Sequence, residues 1–134
     1  MSQVTIRSII TTALVTWATS KNITIAREGQ SFTKPTNNAT FIELLIIPAN
    51  TIVATLDATR KRYLGEVICN IWIKDGVGAG AAEAIAEEIS LLFPVVPKMY
   101  LPLSIETFPS LKRSVLDESG YRISPICFSY RAEF

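Results

Sequence analysis

Apolar positions along the chain fall into two helical stripes and several alternating runs. In residues 3–19, Ile6, Ile10, Ala13, Leu14 and Trp17 recur at helical spacing and predict one buried helix face. Ser2 is the expected N-cap, and Ser20, Lys21 and Asn22 supply a stop. The threonines between them lower the intrinsic helix preference without breaking the stripe. Ile23 and Ile25 alternate with polar neighbours and predict a short strand over Asn22–Arg27. Residues 28–39 have no periodicity and carry Gly29, Pro35, Asn37 and Asn38, the signature of a loop that stays out of the core. Thr40–Ile47 predicts a strand ended by Pro48, and Ile52–Leu56 a continuation of the sheet. Over Tyr63–Ile73, Val67, Cys69, Ile71 and Ile73 point one way and Ile68 and Trp72 the other. Apolar groups on both faces predict a central strand packed on two sides.

The second helix is predicted over 79–93. Ala82, Ile85, Ala86, Ile89 and Leu92–Phe93 form its buried stripe, Glu83, Glu87 and Glu88 mark its solvent side, and Pro94 stops it. Glu83 falls in the first half, where the helix dipole favours it. Residues 94–111 hold four prolines among short apolar pieces, Met99–Leu101 and Leu103–Ile105, and predict irregular or edge strands. Asp117–Gly120 reads as a turn. Tyr121–Phe134 closes the chain as a strand, with Ile126, Phe128 and Tyr130 alternating against Cys127, Ser129 and Arg131. Ile71, Ile73, Ile85, Ile89 and Phe128 are therefore expected to converge on one core.

Length changes this picture little. A chain of 134 residues fits one domain, 1–134, and buries roughly 68% of its unfolded surface without help from metals or disulfides. Hydrophobic residues make up 49% of the chain and mean hydropathy is positive. Two explanations stand side by side: an apolar face covered by a partner, or many Ile, Val and Ala residues in a buried sheet. Thirteen basic residues face twelve acidic ones, a balance that gives no electrostatic case for nucleic-acid binding or for a membrane surface. Apolar runs are too short to span a bilayer, and no signal peptide is read at the N-terminus. Cys69 and Cys127 sit in strand-like apolar stretches and are expected to be buried and reduced.

Catalytic chemistry finds little footing. The chain has no histidine, which removes the common general base, the Ser–His and Cys–His nucleophiles and most zinc sites. The carboxylates are scattered; Glu83, Glu87 and Glu88 share one solvated helix face. Gly76-Val-Gly78-Ala-Gly80-Ala81 follows a strand and opens a helix, the loose form of a dinucleotide loop. Against it stand its position past the midpoint, the proline-rich stretch that follows the helix and the missing ribose-binding acid near position 100; the absence of a loop lysine separately excludes a phosphate loop of the nucleotidase kind. A close strand-to-helix connection accounts for it better, leaving a small nucleotide-binding module as a minor alternative. Arg60, Lys61 and Arg62, and separately Lys112 and Arg113, are short basic runs without interleaved aromatics, better suited to exposed turns or intersubunit ion pairs than to nucleic acid. With Asp117 and Glu118 they are candidates for a subunit interface. No cofactor or metal is expected.

Three stretches taken together resemble a known family. They are the N-terminal helix leading to a short strand; Arg62-Tyr63-Leu64-Gly65 entering the strand Val67–Ile73, then Asp75–Gly80 leading to the helix Ala81–Phe93; and Gly120-Tyr121-Arg122 opening an alternating C-terminal strand. In this order they are similar to the lambda-like tail terminators and minor tail proteins of siphophages. The resemblance implies an α/β (α+β) sandwich: a mixed, mostly antiparallel sheet packed against two helices. It implies a structural protein without enzymatic activity, assembled in the host cytoplasm into the virion tail. Its partners would be copies of itself in a hexameric ring, the tail tube protein and the head-completion protein. Another phage neck or head–tail completion component is the nearest alternative. In such a ring the polar segment 28–39, with Gln30, Ser31, Phe32, Lys34, Asn37 and Asn38, is expected to be mobile in the isolated subunit and to order on docking.

Overall fold

Ile6, Ile10, Leu14 and Ala18 recur every four residues, with no glycine or proline between, and the segment forms helix α1 (Gln3–Ser20) with these four side chains buried. The structure is a computed structural model that describes residues 3–30, 32–33, 39–49, 51–53, 61–76, 79–95, 103–117 and 120–133; the expected N-cap, Ser2, lies outside them. The predicted stop has a specific mechanism. Asn22 adopts a left-handed φ of 57°, its N–H donates to the Thr19 carbonyl at 3.3 Å, and the Ile23 N–H donates to the Ala18 carbonyl at 2.9 Å. This is the two-bond helix ending in which a residue tolerant of positive φ reverses the chain.

The strands are β1 (Thr24–Arg27), β2 (Phe41–Pro48), β3 (Ile52–Val53), β4 (Lys61–Lys74), β5 (Leu103–Ile105), β6 (Ser110–Leu111), β7 (Val115–Leu116) and β8 (Tyr121–Glu133), with α2 (Ala79–Leu92) between β4 and β5. They form one sheet in the order β1-β2-β4-β8-β5, with β3 on β4 and β6 and β7 on β8. Among the described residues only β1 and β2 pair in parallel; every other pairing is antiparallel. The expected mixed, mostly antiparallel sheet against two helices is what forms. Of the predicted strand over 52–56, Ile52–Val53 forms β3, while residues 54–56 and Met99–Leu101 lie outside the described residues.

Both helices lie on one face of the sheet. Ile42, Leu44 and Ile46 of β2, Val67, Cys69, Ile71 and Ile73 of β4, and Ile126, Phe128 and Tyr130 of β8 pack there against Ile6, Ile10 and Leu14 of α1 and Ala82, Ala86 and Ile89 of α2. Small side chains at 82 and 86 let α2 approach the strands closely. Ile71, Ile73, Ile89 and Phe128 are buried as expected, whereas Ile85 is only half-buried, because the stripe is centred on Ala82, Ala86, Ile89 and Phe93. The dipole argument for the glutamates fails: the first turn of α2 carries no acidic residue.

The expectation that β4 is packed on both faces needs correction. It is central, between β2 and β8, but among the described residues its second face is covered only at one end. There Phe32, Phe41, Trp72 and Tyr121 form a separate aromatic cluster, Phe41 stacking on Trp72 at 5.1 Å. Phe32 reaches Phe41 at 5.0 Å, so the 28–39 segment does contribute to packing in the monomer, contrary to its polar character. Ile68, farther along β4 on this face, stays half-buried.

β8 is lined on its outer side by three short strands in place of one. Leu103–Ile105, Ser110–Leu111 and Val115–Leu116 pair in turn with its far end, middle and start. The chain leaves the ladder between β6 and β7 near Pro125, the β8 residue with no N–H to offer. The Lys112 N–H still reaches the Pro125 carbonyl at 2.7 Å. The expected turn before β8 closes on Gly120, at φ 88°, whose N–H donates to the Asp117 carbonyl at 3.3 Å.

Gly65 of β4 sits beneath the ring of Tyr130, its cross-strand partner. A Cβ there would lie 2.5 Å from Tyr130 Cζ and 2.7 Å from the Ile47 carbonyl oxygen. The Tyr130 hydroxyl donates to Gln3 Oε1 at 3.2 Å, tying β8 to the start of α1, and burial pushes its pKa up. Gly65→Ala is expected to cost about 1–3 kcal/mol in urea unfolding, the range for overpacking a closed site. A Tyr130→Leu background should return part of that loss. An alanine variant as stable as the parent would show that the ring does not press on residue 65.

Candidate assembly surface

Among the described residues the sheet has two open edges. On one, β1 pairs only with β2 and β3 only with β4; on the other, β5, β6 and β7 pair only with β8. Edge strands keep unpaired N–H and C=O groups, which soluble monomers usually screen with charge. Here the edges carry exposed apolar side chains. Ile47 and Ile52 are 48% and 41% exposed on the β2–β3 side; Phe108, Val115 and Leu116 are 74%, 61% and 56% exposed on the β5–β7 side, with Leu111 beside them. In the sequence these residues read as short apolar pieces among prolines, and nothing in their spacing marks them as surface.

The predicted interface residues do not form one site. Lys61 and Arg62 open β4, where the Arg62 Nε lies 2.8 Å from Glu133 Oε1, an ion pair within the chain. Lys112 and Arg113 are exposed between β6 and β7. Asp117 is half-buried at the turn before β8, its N–H donating to the Tyr121 carbonyl at 2.7 Å. The register places Arg62 opposite Glu133 and Lys74 opposite Tyr121, so the Arg62 and Asp117 groups stand at opposite ends of the sheet, roughly 40 Å apart at the usual rise per residue. Arg60 and Glu118 lie outside the described residues. Of the loop candidates, Gln30 is exposed on the turn after β1 and Phe32 is half-buried, while Ser31, Lys34, Asn37 and Asn38 lie outside the described residues.

The cysteines part company. Cys69 is fully buried on the helix side, and burial pushes its thiol up to about 12. Cys127 lies on the opposite face and is only half-buried, which corrects the expectation of two buried thiols. Its pKa is also raised, by burial first, then by Glu66 and against Lys112.

The strands around the glycine-rich turn do not have the arrangement of a dinucleotide fold. β4, which leads into the turn, has only antiparallel neighbours, whereas a dinucleotide fold requires a parallel βαβ unit. The hollow beside Gly76 measures about 40 Å³, and Asp75 at its rim is held by Arg122 at 3.2 Å. Val77 and Gly78 lie outside the described residues. Among the described residues no three acidic or cysteine side chains cluster as metal ligands, and no helix is long and apolar enough to cross a membrane.

Comparison with known proteins agrees with an assembly role. A solved protein structure 26% identical in sequence superposes with a TM-score of 0.79, covering 100% of this chain and 97% of its own. No curated protein matches the chain. The family profile described as phage tail terminator protein matches residues 5–130, from the first turn of α1 almost to the end of β8. A structural, non-enzymatic role follows for the chain, which belongs to the phage tail terminator protein family and is a component of the phage tail that meets the tail tube.

Proposed function

We propose that this protein closes into a ring of identical copies, six in number, that caps the tail tube, stops its polymerisation and presents a surface for head joining. The observation that carries this reading is the exposure of apolar side chains on two opposite sheet edges. A cyclic ring uses a head-to-tail contact, in which each copy offers two different surfaces to two neighbours. Ile47 and Ile52 supply one such surface, and Phe108, Leu111, Val115 and Leu116 the other. Exposed apolar groups gathered at an edge are characteristic of surfaces that a partner covers. The segment 28–39 follows edge strand β1 and is proposed to contact the tube.

Native mass spectrometry tests the ring directly. A closed species of six copies is expected for the parent protein. The double variant Val115→Asp, Leu116→Asp should remain folded by circular dichroism, since both side chains are exposed, and should run as a monomer. A parent protein that stays monomeric at every concentration, or a double variant that still closes, would remove this edge from the mechanism.

A further inference from the structure

A concavity of about 420 Å³ opens on the helix-free face of the sheet, beside β1 and β2. Phe32, Phe41 and Trp72 line it with aromatic rings, the first two 5.0 Å apart and the latter two stacked at 5.1 Å. Its charged lining is Arg27, Glu28 and Glu43, two carboxylates against one guanidinium, and Glu43 is half-buried with one carboxylate oxygen accepting from Asn70 Nδ2 at 2.9 Å. That amide orients the carboxylate. A fixed carboxylate beside aromatic faces is the chemistry that receives an ammonium or guanidinium group, by ion pairing and by cation–π attraction.

We propose that this concavity receives a basic side chain of the neighbouring copy, supplied by the exposed pair Lys112–Arg113. The proposal rests on the ring reading above and specifies its contact. Register supports the pairing. The Lys112 N–H bonds to the Pro125 carbonyl, Pro125 stands opposite Asn70, and Asn70 stands opposite Glu43. Lys112 and Glu43 thus share one row across the sheet, Lys112 on the outer side of β8 and Glu43 on β2 just inside edge strand β1, three strand spacings or roughly 14 Å apart. Within one chain that gap is beyond a lysine's reach. Cyclic symmetry rotates a neighbour about the axis without shifting it along the axis, so groups that meet share a height. In a ring whose axis follows the strands, one row satisfies that condition. Ser110 and Leu111 stand opposite Cys127 and Ile126 and the Lys112 N–H reaches Pro125, so strand alternation puts Lys112 with Ser110 and Cys127 on the helix-free face.

The test is a charge swap read by native mass spectrometry and sedimentation, with circular dichroism confirming folding. Glu43→Lys, and separately the double variant Lys112→Glu, Arg113→Glu, should each raise the concentration needed for ring closure by about tenfold or more. Mixed one to one, the two variants should recover rings, because each altered pocket then faces an altered edge of opposite charge. Glu43→Gln gives a milder version that removes the charge at nearly constant size. Rings from Glu43→Lys at parent concentrations would overturn the proposal while leaving the ring intact. So would a mixture that fails to recover from two folded, ring-defective variants. Intact Glu43→Lys rings that no longer bind tail tubes would assign the concavity to the tube protein instead. A parent chain that forms no ring would overturn both readings together.

Discussion

Phe128→Ala should destabilise the protein by about 3–5 kcal/mol in urea unfolding, the largest loss expected from a single truncation here. Phe128 is 1% exposed and lies in the middle of β8 opposite Val67. Its ring stacks on Phe93 at 4.7 Å, at the end of α2, so one side chain joins the central strands to the second helix. Truncation removes the transfer free energy of the ring and leaves a cavity walled by strands that cannot collapse into it. The midpoint should fall with little change in slope. A loss below about 1 kcal/mol would show that α2 does not rest on β8 at this point.

Ile89→Ala is expected to cost about 2–5 kcal/mol, and Ile85→Ala distinctly less. Both positions belong to the apolar stripe of α2, and pattern alone ranks them equally. Ile89 is fully buried between α2 and the sheet, whereas Ile85 is half-buried at the margin of the contact. The difference between the two variants therefore measures the rotation of α2 on the sheet. Equal losses would mean that the helix is turned toward Ile85, away from the orientation seen here.

Stability and assembly draw on different parts of this molecule. The helix-side core is continuous from α1 to α2 and needs no partner. Among the described residues the edges and much of the helix-free face stay uncovered, with exposed apolar side chains at the edges. This division suits a tail component that folds as a subunit and finds its remaining contacts in an assembly. The surface ion pairs, such as Arg7–Glu28 at 2.8 Å and Arg131–Glu106 at 3.6 Å, are largely exposed and add little to folding.

The sequence by itself determined the elements whose signal is local. The four-residue recurrence in α1, the Asn22 stop and the alternation in β4 and β8 depend on backbone period and on which residues tolerate positive φ, both properties of short windows. These also carried the family resemblance. The lack of histidine likewise narrowed the chemistry without any geometry. Tertiary structure alone decided matters that depend on what lies across the sheet. Ile68 and Val67 are equally apolar, yet only Val67 is covered, because both helices dock on one face. Phe32 sits in a polar loop, yet it packs, because β1 and β2 pair in parallel and bring it over Phe41. Leu116 and Ile126 read alike, but one lies on a broken edge strand and the other under a helix. Glu43 and Lys112 are far apart in sequence and fall in one row only through strand order and register. Pairing across distant segments sets those relations, and a local pattern carries no record of it.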